Sequence, residues 1–403
     1  MLNGLPPPTL VQDSRAFARL MEDLAAQREI AVDTEADSFY SHREKVCLVQ
    51  ITVEDRDYLV DPLAGFDLAP LGDVLADPAR LKVFHDGEYD VLILKRIYGF
   101  RFKHLFDTRV AAATLGSPNP GLANVLRDRY GIELDKSMQR SDWAQRPLSE
   151  KQIRYARLDT RFLLPLMREQ RVELASRART HFVEGECARL EALEPPDASF
   201  DPDEFVKLKN ARTLDPLGRQ VLRELFTLRE RLASESDQPP FRIMNNEALV
   251  EVARVRPRST SELQRIPGVS FKQGRRLSED VLEAVRRGTE LGPLRKLPQL
   301  PSRDGTDDFS DQDVELHERL KNRRKELAQN LGIDSAYLIN RHVLTRIARA
   351  KPRTLDDLAR TEGMLAWQVR DYGPDLLGVI EQFERDRSAG LLPAGRRRGP
   401  WRG

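Results

Sequence analysis

Cysteine is nearly absent. Cys47 and Cys187 are the only two in 403 residues, and they share no short metal-ligand spacing. That excludes a disulfide framework and a cysteine-based metal knuckle, and a reduced, intracellular protein is expected. No run approaches the roughly 18 uninterrupted apolar residues of a membrane helix, so no membrane partner is expected. The opening Met1-Leu2-Asn3-Gly4-Leu5, followed by three prolines, has no basic segment leading into an apolar one, which argues against a secretory signal and for a cytoplasmic location. Nowhere does G-x-x-x-x-G-K-[ST] occur, so no nucleotide cofactor is expected and a helicase is excluded.

What is present describes a globular chain. Hydrophobic residues make up 40% and charged residues 32%, and the length suits two to four domains at roughly 100–200 residues each. The net charge of +1 hides an asymmetry: residues 1–195 carry a net −4 and residues 196–403 a net +5. An acidic front with a basic rear suits a cation-dependent site attached to a polyanion-binding module, although differences this small also arise by chance. Of the 65 basic residues 52 are arginine, which fits phosphate recognition and fits a GC-rich genome equally well.

The front half alternates strand and helix signals. Ile30–Thr34, Val46–Val53, Tyr58–Val60 and Leu81–His85 predict short strands, and Asp90–Tyr98, Thr108–Leu115 and Leu122–Tyr130 have apolar residues at helical spacing. A long helical pattern runs from Ser149 to about Thr180, and Pro195-Pro196-Asp197 marks a linker. The expected class is α/β, a mixed sheet flanked by helices. The rear half contains a repeat: residues 249–285 align without a gap on 344–380, and Leu249, Ala253, Arg254, Pro257, Arg258, Leu263, Arg265 and Gly268 recur as Leu344, Ala348, Arg349, Pro352, Arg353, Leu358, Arg360 and Gly363. Helical segments Leu217–Ser234 and Val314–Asn330 precede the two copies. The expected domains are 1–195, a helical module at 210–290, a linker at 291–311, a second module at 312–386, and a basic, disordered tail at 390–403 with Arg396-Arg397-Arg398.

Three short segments carry candidate chemistry. Asp33 and Glu35 alternate with Thr34 on a strand, so they project to one side and form a platform for a hard cation; an edge pair facing water would look the same. Tyr155 and Asp159 stand four apart on a predicted helix and share a face. In His85-Asp86-Gly87-Glu88-Tyr89-Asp90 a strand passes into a helix; Asp86 suits the helix cap, which leaves Asp90 to point across the strand ends. His85 reads as a hydrogen-bonded structural histidine, and Cys47 as core.

In the order Asp33, Glu35, Asp90, Tyr155-x-x-x-Asp159, these segments resemble the tyrosine-containing branch of the DEDD exonuclease superfamily, whose domain has a ribonuclease H-like fold. Gly131-Ile132-Glu133-Leu134-Asp135-Lys136-Ser137, Gln139-Arg140-Ser141-Asp142-Trp143, Arg146-Pro147-Leu148-Ser149 and Phe106-Asp107-Thr108 are similar to the bacterial ribonuclease D family, and the repeated rear modules resemble HRDC domains. The resemblance covers nearly the whole chain.

It implies a 3′→5′ exoribonuclease that trims tRNA precursors and other structured RNAs at single-stranded 3′ ends, releases nucleoside 5′-monophosphates and acts as a monomer. Asp33, Glu35, Asp90 and Asp159 would be metal ligands, and all-oxygen donors favour two Mg²⁺ or Mn²⁺ ions over zinc. Tyr155, with an ordinary pKa near 10, is a poor base and is expected to orient the attacking water. Lys136 and Arg140, at helical spacing, are candidate phosphate contacts; Gln139 and Trp143 are candidate contacts to the terminal nucleotides, Trp143 by stacking or else as core. Arg256, Arg258, Lys272, Arg275 and Arg276, with Lys351, Arg353 and Arg370 in the second copy, are candidate RNA contacts, and position 276 is matched there by Asp371. A DNA repair exonuclease and an idle nucleic-acid scaffold remain alternatives; the intact five-residue set argues against the scaffold.

Overall fold

The structure, a computed structural model, describes residues 6–196, 199–269, 271–298, 300 and 309–392, the side chains of 136 and 271–276 excepted. The chain forms two compact units, Met1–Glu35 with Val46–Pro195 and Pro301–Gly403, and Ala36–Lys45 with Pro196–Leu300.

The first unit opens with β1 (Thr9–Val11), α1 (Ser14–Ala25), β2 (Glu29–Ala36), β3 (Val46–Val53), β4 (Arg56–Val60), α2 (Ala69–Ala76), β5 (Leu81–Phe84), α3 (Glu88–Tyr98) and β6 (Leu105–Asp107). Then come α4 (Thr108–Thr114), α5 (Leu122–Tyr130), α6 (Glu150–Arg161), α7 (Leu163–Ser176) and α8 (Thr180–Ala192). The strands form one mixed sheet in the order β1-β4-β3-β2-β5-β6, as the α/β expectation requires. Central β3 is buried along its whole length, which explains its nearly continuous apolar run. β2 runs parallel to β5, pairing Glu29, Ile30 and Ala31 with Leu81, Lys82 and Val83. The C-terminal ends of β2 and β5 therefore lie side by side, the usual place for a site in such sheets.

Two parts of the sequence reading change. β1 and β6, three residues each at the sheet edges, are too short to show a period of two. The single helical pattern after Ser149 divides into α6, α7 and α8. Pro165 has no N–H to donate to the Arg161 carbonyl, so the ladder stops at Phe162, and Ala178 at φ 53° breaks α7 from α8.

The second unit carries α9 (Pro216–Ser236), α10 (Pro240–Ile243), α11 (Asn246–Val255), α12 (Thr260–Leu263) and α13 (Phe271–Glu290) around Leu222, Leu225, Leu249 and Leu263. The second helical module has α14 (Asp311–Leu331), α15 (Arg341–Ala350), α16 (Leu355–Ala359) and α17 (Ala366–Ser388). Its core includes Phe182 of α8, on which Trp367 packs at 4.6 Å. None of the helices among the described residues is long and apolar enough to cross a membrane.

The sequence repeat is a structural repeat. α11 and α15 both end on a left-handed residue, Arg256 at φ 53° and Lys351 at φ 48°. A buried proline and a Ser259 or Thr354 cap follow, opening α12 or α16. Arg256 then pairs with Asp215, the cap of α9, and Lys351 with Asp313, in the first turn of α14. These two cations, candidates for RNA, therefore hold each module's first long helix to its repeat. Arg370 pairs with its neighbour Asp371, while Arg258 and Arg353 are exposed. Lys272, Arg275, Arg276 and the tail beyond 392 lie outside the described side chains.

Helices α9 and α13 meet at Gly288, where an added Cβ would stand 2.7 Å from the Val221 Cα. Gly288→Leu is expected to cost about 1–3 kcal/mol by overpacking. Urea denaturation followed by circular dichroism should show a lower midpoint; an unchanged midpoint would contradict this close approach.

Candidate active site

Three elements present the five candidate residues. β2 is anchored by buried Ile30, Ala31 and Val32, and its far end carries Asp33 and Glu35 on one side. α3 starts directly after β5 and holds Asp90 in its first turn. α6 starts at a capping box, in which Ser149 and Gln152 each satisfy the other's backbone N–H, and carries Tyr155 and Asp159 one turn apart. Gln152 also donates to Ser141 Oγ and the Asp142 carbonyl at 3.0 Å each, tying α6 to the loop before it.

Carboxylate oxygens of Asp33, Glu35 and Asp159 lie within 4.8 Å of one another. Asp90 joins them less tightly: it is 5% exposed and accepts a 2.5 Å bond from Thr34 Oγ1, the residue between the two β2 carboxylates. Burial pushes all four upward, and neighbouring carboxylates add to it. Glu35 rises to about 9 through burial and the charges of Asp159 and Asp90, and Asp159 to about 8, chiefly through burial. Asp33 stands well above the carboxylate range, through burial and then Asp90, Asp159 and Glu35. Asp90 reaches only about 6, because the Thr34 hydroxyl offsets part of the burial. A cluster of hard oxygen donors that resists ionisation alone fits divalent cations, whose charge favours the ionised form.

The Tyr155 hydroxyl lies near Asp159 and the Gln139 side chain, and burial with the neighbouring carboxylates raises its pKa far above 10. It stays a hydroxyl at every physiological pH. Gln139 thus lies near Tyr155. Trp143 is not a stacking surface: with 1% of it exposed it packs among Cys47, Leu48, Leu59 and Ala156 and backs the Tyr155 ring at 6.0 Å. The Lys136–Arg140 pairing also changes. That segment is a 3₁₀ turn and not an α-helix, so the expected helical spacing does not apply to it. Arg140 is exposed, and the Lys136 side chain lies outside the described ones.

The cap of α3 is a further correction. Asp86 sits at φ 64°, outside the helix, and its carboxylate turns to Arg109 at 3.1 Å. Gly87 is the cap residue; an added Cβ there would meet the Phe84 Cβ at 2.6 Å. Buried Asp107 does the anchoring. It accepts from the N–H groups of Asp86 and Gly87 before α3 and from those of Arg109 and Val110 at the start of α4. Only its position in the Phe106-Asp107-Thr108 motif marked it in sequence. His85 is structural as expected: Nδ1 bonds Thr108 Oγ1 at 2.8 Å, and burial lowers its pKa to about 4.

Comparison with known proteins gives the family of each part of the chain. Residues 8–175 match the 3'-5' exonuclease family model, and residues 218–285 and 313–380 each match the HRDC domain. Ribonuclease D of Gluconacetobacter diazotrophicus is 34% identical over 300 residues, covering 73% of this chain and 75% of that protein. Ribonuclease D of Sphingobium indicum is 30% identical over 379 residues, covering 92% and 94%. Among solved structures, Escherichia coli RNase D, an exoribonuclease involved in structured RNA processing, has a TM-score of 0.68 at 26% identity, covering 94% of this chain and 99% of that one.

The raised carboxylates set a pH dependence. A carboxyl whose folded pKa exceeds its unfolded value near 4 stabilises the fold fully below about pH 4, and that contribution is lost as pH rises through the folded value. For Asp159 and Glu35 the loss extends through about 8 and about 9. A divalent cation bound there would offset it by pairing with the ionised groups, so the effect of Mg²⁺ on Tm should be larger at about pH 9 than at about pH 6. Thermal melts with Mg²⁺ and with EDTA at both pH values check this; equal Mg²⁺ shifts would contradict it.

Proposed function

The chain belongs to the ribonuclease D family and is a 3′→5′ exoribonuclease, and we propose that it removes extra 3′ nucleotides from tRNA precursors and other structured RNAs, releasing nucleoside 5′-monophosphates. The observation that carries this is the convergence of Asp33, Glu35 and Asp159 within 4.8 Å, with Thr34-linked Asp90 and the Tyr155 hydroxyl beside them. The 3′→5′ exonuclease superfamily to which the domain belongs is dependent on divalent metal ions, and the donor set suits two Mg²⁺ or Mn²⁺ ions held by Asp33, Glu35, Asp90 and Asp159.

When bound, such ions supply Lewis-acid activation of the attacking water and charge neutralisation at the scissile phosphate and the departing 3′ oxygen. The chain's own groups do the rest. Asp33 and Glu35, fixed on a central strand, and Asp159, on a capped helix, set where a phosphate can sit. Tyr155, beside Asp159 and not ionised, orients water through its hydroxyl and does not accept the water's proton. Residues 1–195 are assigned the chemistry. The modules at 210–290 and 312–386 are assigned the grip on RNA, raising affinity through linked binding in a salt-sensitive way.

Asp33→Asn should lose divalent-cation binding and turnover together, whereas Tyr155→Phe should keep cation binding and lower kcat by about 10²–10⁴-fold. Calorimetric Mg²⁺ titration alongside single-turnover assays separates the two; wild-type turnover in Asp33→Asn would refute the site. A 5′-labelled tRNA with a few extra 3′ nucleotides should give a ladder with Mg²⁺ and none with EDTA, stopping near the mature terminus. A matched single-stranded DNA should be largely untouched. Shortening of the DNA alone would make the enzyme a DNA exonuclease.

A further inference from the structure

Helix α6 carries two functional faces. Successive residues turn by 100°, so Arg157 and Arg161, each two positions after Tyr155 and Asp159, project to the other side of the helix. There they meet the β3–β4 hairpin. Arg157 Nε donates to Asp57 Oδ2 at 2.5 Å, and Arg161 Nη1 lies 3.6 Å from Asp57 Oδ1. Asp57 Oδ1 also accepts from Thr52 Oγ1 at 2.9 Å, and that hydroxyl shares a 2.8 Å bond with Thr160 Oγ1, the residue next to Asp159. Thr52 and Asp57 face each other in the hairpin's register, which fixes both ends of the link.

The network is buried. The Asp57 side chain is 2% exposed, and those of Arg157 and Arg161 are 11% and 12% exposed. Ion pairs on a protein surface contribute little to stability, but a charge left without its partner in such a place is strongly unfavourable. Losing Asp57 would therefore leave Arg157 without a counter-charge and Arg161 with only exposed Asp55, 3.8 Å away, so the last turns of α6 would have to shift to reach water. Asp159 lies between Arg157 and Arg161 in sequence, so such a shift moves it away from Asp33 and Glu35.

We propose that Asp57 is a positioning residue for the nuclease reaction, acting through Arg157 and the Thr52–Thr160 bond to fix how α6 presents Tyr155 and Asp159. It touches neither substrate nor cation. This rests on the assignment of Tyr155 and Asp159 to the site. A displacement of about 1 Å can lower a rate by about 10²-fold, so a small movement of α6 is enough.

The test uses the full chain with Asp57→Asn, Arg157→Lys, Arg157→Met and Thr160→Val, with Asp33→Asn as control, well below each protein's Tm. Each is assayed for kcat, KM for a single-stranded RNA, and the Mg²⁺ concentration giving half-maximal rate. Asp57→Asn should lower kcat by about 10–100-fold, with KM for RNA little changed and a higher Mg²⁺ requirement. Arg157→Lys should keep more activity than Arg157→Met, because it retains the charge. Thr160→Val should show a smaller loss in the same direction and serves as the test if Asp57→Asn does not fold. Wild-type kcat and Mg²⁺ dependence in these variants, with only Tm lowered, would overturn the proposal and make the network purely structural. Full turnover in Asp33→Asn would instead overturn the site assignment on which it rests.

Discussion

Repulsion among the carboxylates of Asp33, Glu35, Asp90 and Asp159 is the constraint around which the catalytic half of this protein is arranged. Three of the groups crowd within 4.8 Å, and none ionises readily there without a cation. Flexible segments would relieve that strain by moving apart. The fold prevents this by placing each acid on a rigid element: the end of a central strand, the first turn of α3 and the middle of α6. The supports are themselves anchored at a distance, by Asp107 under the start of α3, by the Ser149–Gln152 capping box and by Asp57 behind α6. Acids thus occur in two roles. Those in the site have no cationic partner among the described residues, while those behind it are satisfied by backbone amides, hydroxyls or arginines.

The helical modules apply the same economy of parts twice. In each, a cation at a left-handed helix end reaches back to an acid at the start of the module's first long helix. Two conspicuous basic positions of the repeat thus have an aspartate as partner in both modules. The copies differ in what else they pack against. The second shares its core with Phe182, and its Asp371 lies 3.6 Å from His181, both residues of α8.

Much of the site was legible because its chemistry is encoded locally. Asp33 and Glu35 share a side through the two-residue period of a strand, and Tyr155 and Asp159 share a face through the helical period. The gapless repeat likewise needed only aligned residue types. Misreadings came where the local rule was the wrong one. Asp86 looks like a helix cap until its positive φ turns it outward, and Lys136 and Arg140 share a face only in an α-helix. Trp143, for which stacking and core were both open, takes the core reading and fills the space behind Tyr155 with Leu48 and Leu59 of the hairpin.

The amino-acid order alone determined the class of sheet, the twofold helical repeat, the five acidic and phenolic groups and, through family resemblance, the reaction they serve. Tertiary structure decided which acids stand together and which stand guard. Asp57, Asp107 and Asp90 are all buried aspartates, and of the three only Asp57 carried no mark in the sequence. Asp90 meets other carboxylates, Asp107 meets four backbone N–H groups, and Asp57 meets arginines 100 and 104 residues further along the chain. A carboxylate's role follows from the charge it faces, and that partner is supplied by distant segments only once the chain has folded.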